Sequence, residues 1–122
     1  MYAERHVVEL TTDADGAATG YTPAVTGRVL AIHYVKDDFA DGVDFTVTSE
    51  ATGQSIWAES DVNASASRAP RQPTHGQDGS ASLYAGGGEP VEDYLALAQD
   101  RVKIVVANGG DTKSGAFHVV IG

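Results

Sequence analysis

The chain has 122 residues, with 17 acidic against 8 basic side chains for a formal net charge of −9, and no cysteine. That length fits one domain able to bury a core without disulfides or metals, and the missing thiols exclude thiolate sites and thiol nucleophiles. The negative field disfavours nucleic acid and anionic membranes as partners, no apolar run nears the roughly 20 residues of a membrane helix, and MYAERHVVEL carries no expected secretory leader.

In chain order, Arg5 to Thr12 reads as a strand bounded by the turn residues Asp13-Ala14-Asp15-Gly16. Arg28 to Val35 is apolar on both faces, as expected of a central strand covered on two sides. From Val43 to Glu50 the pattern alternates. Val43, Phe45 and Val47 fall on one face, and Asp44, Thr46, Thr48 and Glu50 on the other. The link Ala51-Thr52-Gly53 then leads into Gln54 to Ala58, the returning arm of a hairpin.

The stretch from Glu59 to Gly88 is rich in Ser, Ala, Gly, Asn and Asp and carries Pro70, Pro73 and Gly86-Gly87-Gly88. Only Leu83-Tyr84 looks fit for a buried strand there, so a long irregular segment is expected, of a kind that is functional or disordered. Pro90 to Ala98 fits a short helix, with Pro in the first turn and acids behind it, yet Tyr94 to Ala98 could equally enter the next strand. Arg101 to Ala107, the Asn108-Gly109-Gly110 turn and Ala116 to Ile121 read as a C-terminal hairpin. In it Val102, Ile104 and Val106 should face the same core as Phe117, Val119 and Ile121. Six such strands predict an all-β, mainly antiparallel β-sandwich or barrel-like domain, single over residues 1–122, with a long irregular loop or arm at about residues 59–88.

Chemistry-bearing motifs are weak. Of the histidines, His6, His33 and His118 sit in expected strands, where structural roles are the rule. His75 lies beside Asp78 and Ser80, but no Gly-x-Ser-x-Gly elbow surrounds that serine. Asp13-Ala14-Asp15-Gly16 opens like a calcium loop without its later ligands, and Asp37, Asp38, Asp41 and Asp44 form either a folded-back cation site or a solvated loop. Gly86-Gly87-Gly88 lacks dinucleotide spacing. No catalytic residue, cofactor or resident metal is therefore expected, and an enzyme is not. Trp57, the sole tryptophan, is expected in the core.

Arg68-Ala69-Pro70-Arg71-Gln72-Pro73-Thr74-His75 concentrates two arginines on a proline-stiffened segment of an acidic chain. It reads either as a solvated loop or as part of a docking arm, from Asp61 to Gly79, with partner-binding residues Arg68, Pro70, Arg71, Pro73 and His75.

Three stretches carry a resemblance: Gly27 to Val35, Gly87-Gly88-Glu89-Pro90, and Arg101 to Gly110 with Lys113 to Ile121. Together they resemble small structural proteins of tailed bacteriophages, among them capsid decoration (cement) proteins. The resemblance implies a β-rich virion protein without enzymatic activity, often trimeric, that clasps the major capsid protein from outside. The expected function is that of a capsid decoration protein, a homo-oligomer binding the major capsid protein or other virion proteins. A neck, tail or head-fibre component and a carbohydrate-binding β-sandwich are the alternatives. For the last, Tyr21, Tyr34, Tyr84 and Tyr94 are the available aromatics.

Overall fold

The computed structural model describes residues 2–122. Its strands are β1 (Glu4–Thr11), β2 (Ala18–Tyr21), β3 (Val25–Val35), β4 (Val43–Ser49), β5 (Ser55–Val62), β6 (Ala66–Arg68), β7 (Arg71–Pro73), β8 (Glu92–Tyr94), β9 (Ala96–Asp100), β10 (Val102–Ala107) and β11 (Ser114–Ile121). All strand pairs are antiparallel. One sheet runs β1-β11-β3-β6, with β9 also on β3. The second runs β2-β10-β4-β5, and β7-β8 form a separate ribbon. The two sheets close on a single apolar core, so of the sandwich and the barrel-like domain that the alternation allowed, the all-β sandwich is the fold.

The alternation works as it should in β4, where Val43, Phe45 and Val47 are buried and pair with β5 through the Ala51-Thr52-Gly53 link. Rings from both sheets meet at the centre. Phe117 of β11 lies 5.0 Å from Phe45 of β4 and 5.1 Å from Tyr34 of β3, and Phe45 meets Trp57 edge-on at 4.7 Å. Trp57 is buried, as expected. Phe39, from the β3–β4 connection, lies flat on β11 because residue 115 is glycine. A Cβ there would stand 2.4 Å from its ring.

Three expectations need correcting. The C-terminal strands do not form a hairpin: β10 pairs with β2 and β4, and β11 with β1 and β3. Asn108 does take the left-handed conformation, φ 58°, but it carries the chain across the sandwich. Its side-chain amide donates to Asp44 at 2.7 Å, and Gly109 N–H donates to the Gly16 carbonyl at 2.9 Å. Both strands still send Val102, Ile104, Val106, Phe117, Val119 and Ile121 to one core, from opposite sides.

Strand β3 is central by its pairing, yet its cover is one-sided. The register shifts by one residue at Leu30, where Val29 and Ala31 flank a bulge against β11. The bulge lets Val29 and Ile32 both face inward, while His33 and Val35 lie exposed on the outer face. Third, the stretch from Glu59 to Gly88 is less irregular than its composition implied. It holds the end of β5, then β6 against β3 and β7 against β8. These short strands have little β-propensity of their own and are recruited by partners distant in sequence. The open choice at Tyr94 to Ala98 resolves to strand, because Leu95 and Leu97, two apart, both reach the core.

One buried charge ties the end of β9 to the end of β4 in the second sheet. Asp100 accepts from the Ser49 hydroxyl, from Ala51 N–H at 3.0 Å and from Arg101 N–H at 2.8 Å. The Ser49 hydrogen bond, and then the backbone donors, hold its carboxyl below the usual range. A carboxyl depressed in the folded state adds stability that is present above its unfolded pKa, about 3.9, and lost as pH falls through the folded value. Asp100→Asn should therefore melt below the parent at pH 7, and the gap should narrow as the pH is brought down to about 3. Melting curves that stay a constant distance apart over that range would remove Asp100 from the account.

Candidate functional site

The residues expected to dock a partner fall into two groups. Arg68 lies in β6 and is engaged within the fold. Its Nε and Nη2 donate to the two carboxylate oxygens of Glu59 at 2.9 and 3.0 Å, and its guanidinium sits 5.5 Å from the Trp57 ring centre. Trp57 Nε1–H donates to the same carboxylate at 2.9 Å. The indole hydrogen bond, with Arg68 behind it, holds Glu59 below the ordinary carboxylate range. This cluster ties β5 of one sheet to β6 of the other.

Arg71, in β7, stacks 3.9 Å over the Tyr94 ring, and Arg28 approaches the same ring at 4.9 Å. Arg71 Nη1 donates to the Pro70 carbonyl at 2.7 Å and to that of Leu30 at 3.4 Å. Pro70 is the half-buried link between β6 and β7, and Pro73 ends β7. Neither arginine stands on a free arm, so removing either takes packing from the folded chain.

His75 begins a different feature. Residues 74–91 hydrogen-bond among themselves: Thr74 N–H to Val91 O at 2.8 Å, Ser82 N–H to Thr74 O at 3.0 Å, and Val91 N–H to Ser82 O at 2.9 Å. The bridges His75–Ala81 and Leu83–Pro90 complete a small two-turn finger, none of whose residues joins the core. Near its end Leu83 is 41% and Tyr84 77% exposed, next to each other in the chain. The sequence expectation placed this pair as a buried strand. Its chain neighbours, Ser82, Ala85 and three glycines, supply no large apolar side chain to carry it into a core, and that is the legible signal. Within the finger Asp78 accepts from the hydroxyl of Ser80 at 2.6 Å and from its N–H at 3.0 Å, closing a turn and lowering the Asp78 pKa.

Four of the acidic side chains in the two Asp-rich turns are likewise partnered. Asp13 caps its own turn, accepting from Asp15 N–H at 2.9 Å and Ala17 N–H at 3.0 Å. Asp44 accepts from Asp61 N–H at 2.9 Å, Asp38 from Ser114 N–H, and Asp41 pairs with Lys36 at 3.0 Å. No three metal-ligating side chains converge among the described residues. The tyrosines do not gather: Tyr34 is buried, Tyr94 lies under arginines, and Arg101 covers Tyr21 at 4.0 Å. A depression of about 250 Å³ between Glu9, Val35, Asp37 and Ser114 is smaller than the roughly 300–1,000 Å³ of small-molecule sites.

No family model matches the chain, and no curated protein matches it significantly. Solved structures similar to it include the C-terminal CBM6 of LamC, a marine laminarinase from Zobellia galactanivorans. That likeness has a TM-score of 0.47 and 9% identity, and covers 99% of this chain and 100% of that one. A second is the virus-like particle of the extra small virus of the giant freshwater prawn Macrobrachium rosenbergii. There the TM-score is 0.41 and the identity 7%, over 98% of this chain and 76% of that one. At such values neither assigns a ligand or an assembly to this chain. Among the described residues no helix is long and apolar enough to cross a membrane.

Proposed function

We propose that this chain is a virion structural protein of the capsid-decoration type, a non-catalytic β-domain that binds the outer surface of a capsid. The observation that carries the reading is the finger of residues 74–91, which offers Leu83 and Tyr84 to solvent from a rigid sandwich that has no structural need of them. Paired apolar and aromatic anchors on a small, internally bonded projection are what a docking surface presents, since tyrosine brings large contact area at low entropic cost. The resemblance of Gly27 to Val35 and of the C-terminal strands to phage structural proteins supplies the assembly, and the major capsid protein is the partner. The net charge of −9 keeps the free protein soluble before it is taken up. A homotrimer, at three times the chain mass of 12.7 kDa, is the favoured solution state.

Leu83→Ser with Tyr84→Ala should leave the melting temperature within about 2 °C of the parent, because surface changes cost little. Attachment to capsid particles lacking the protein should fall by about tenfold or more, as for loss of a central interface anchor. Co-sedimentation of parent and variant with such particles reads this out. Equal occupancy of the two proteins would overturn the finger as the docking element, and failure of the parent to co-sediment would overturn the decoration reading.

A further inference from the structure

We propose that His33 and His118 form a binding site for a divalent transition-metal ion on the outer face of the β1-β11-β3-β6 sheet. The register places His118 of β11 directly opposite His33 of β3, with Val7 of β1 beyond one histidine and Ser67 of β6 beyond the other. Both rings must leave the sheet on the same side, because their chain neighbours Phe117, Val119, Ile32 and Tyr34 are all buried in the core. Directly opposed residues on one face of an antiparallel pair hold their Cβ atoms about 4.5–5.5 Å apart. That separation lets two imidazoles reach a common ion at the usual metal–nitrogen distance of about 2.0–2.1 Å.

One of the rings is already oriented. His33 Nδ1 lies 2.6 Å from the Ser67 hydroxyl oxygen, and with the proton on Nδ1 this bond leaves the Nε2 lone pair for a metal. A ligand histidine whose second nitrogen is tied to an oxygen is the usual arrangement at metal centres. Two imidazoles select the ions that prefer nitrogen, Cu²⁺, Ni²⁺ and Zn²⁺, over Ca²⁺ or Mg²⁺, which need oxygen ligands. No third histidine or carboxylate converges with this pair among the described residues, so water fills the remaining positions. The negative net charge of the chain adds a favourable field for a cation.

The probe is Cu²⁺ itself, titrated into the full chain and followed by calorimetry and by electron paramagnetic resonance. The expected result is one equivalent bound, with a spectrum of two equatorial nitrogen donors. His33→Asn and His118→Asn should each weaken binding at least about tenfold, and Ser67→Ala by a smaller factor through loss of ring orientation. His75→Asn should leave it unchanged. Both ligand histidines are on the outer face, so an unaltered metal-free melting temperature accompanies the comparison. Equal Cu²⁺ affinity in the parent and in the His33→Asn/His118→Asn double variant would overturn the site, as would a spectrum with a single nitrogen donor.

Discussion

Ile104→Asp is expected to lower the melting temperature at neutral pH by about 15 °C or more, while Val105→Asp, one residue on, should melt within a few degrees of the parent. Ile104 sits on β10, in the middle of the second sheet, opposite Val47 of β4 and Gly20 of β2, and is fully buried. An aspartate there loses the apolar contacts of isoleucine and places a carboxylate where no donor waits. Either alone is a serious loss, and together they cost about 4 kcal/mol or more. A domain of this kind has only about 5–15 kcal/mol in total. Val105 points the other way, is 36% exposed, and lies opposite Thr19 and Thr46. The cost there is limited to strand preference, up to about 1 kcal/mol. Circular dichroism melts of the two variants decide the matter. A parent-like transition for Ile104→Asp would mean that the inward face of β10 has been assigned to the wrong side.

The second large effect lies at the centre of the ring cluster. Phe117→Ala should lower the melting temperature by roughly 10–20 °C, from a truncation cost of about 3–5 kcal/mol. The ring of Phe117 touches three others, Tyr34 at 5.1 Å, Phe45 at 5.0 Å and Trp57 at 6.4 Å, so its removal opens a void between the two sheets. Such a void has rigid walls, because Phe45 and Tyr34 are held by their own strands and cannot collapse into it. Phe117→Leu keeps much of the volume and should cost less than half as much. Differential scanning calorimetry gives the stability, and the fluorescence of Trp57 reports the local packing. If the alanine variant melts as high as the leucine variant, the cluster does not hold the sheets together.

Alternation by itself determined where β4, β10 and β11 lie and which of their residues turn inward. Val43, Phe45 and Val47 declare one face because a pleated strand repeats every two residues, and burying one face obliges the other to be polar. The β4–β5 hairpin was legible for the same reason, as its turn is short and its partners adjacent. The inward sets of β10 and β11 were equally plain, but not their neighbours. Period two says which side faces the core and is silent on which strand lies alongside, so a paired hairpin and a crossing between facing sheets look alike in sequence.

Tertiary structure alone decided the rest. It drew Arg68 onto Glu59 and Trp57, and Arg71 onto Tyr94, because arginines on an acidic chain settle on whatever carboxylates and rings the fold brings near. It left Leu83 and Tyr84 in solvent, since an apolar pair joins a core only if the backbone can deliver it there, and the finger is closed on itself by its own hydrogen bonds. It set His33 against His118 through the β3–β11 register, a meeting of two residues far apart in the chain that no local pattern encodes. Hydrophobic periodicity is a short-range property of the backbone, whereas sheet order and cross-strand neighbours are settled by the packing of the whole core.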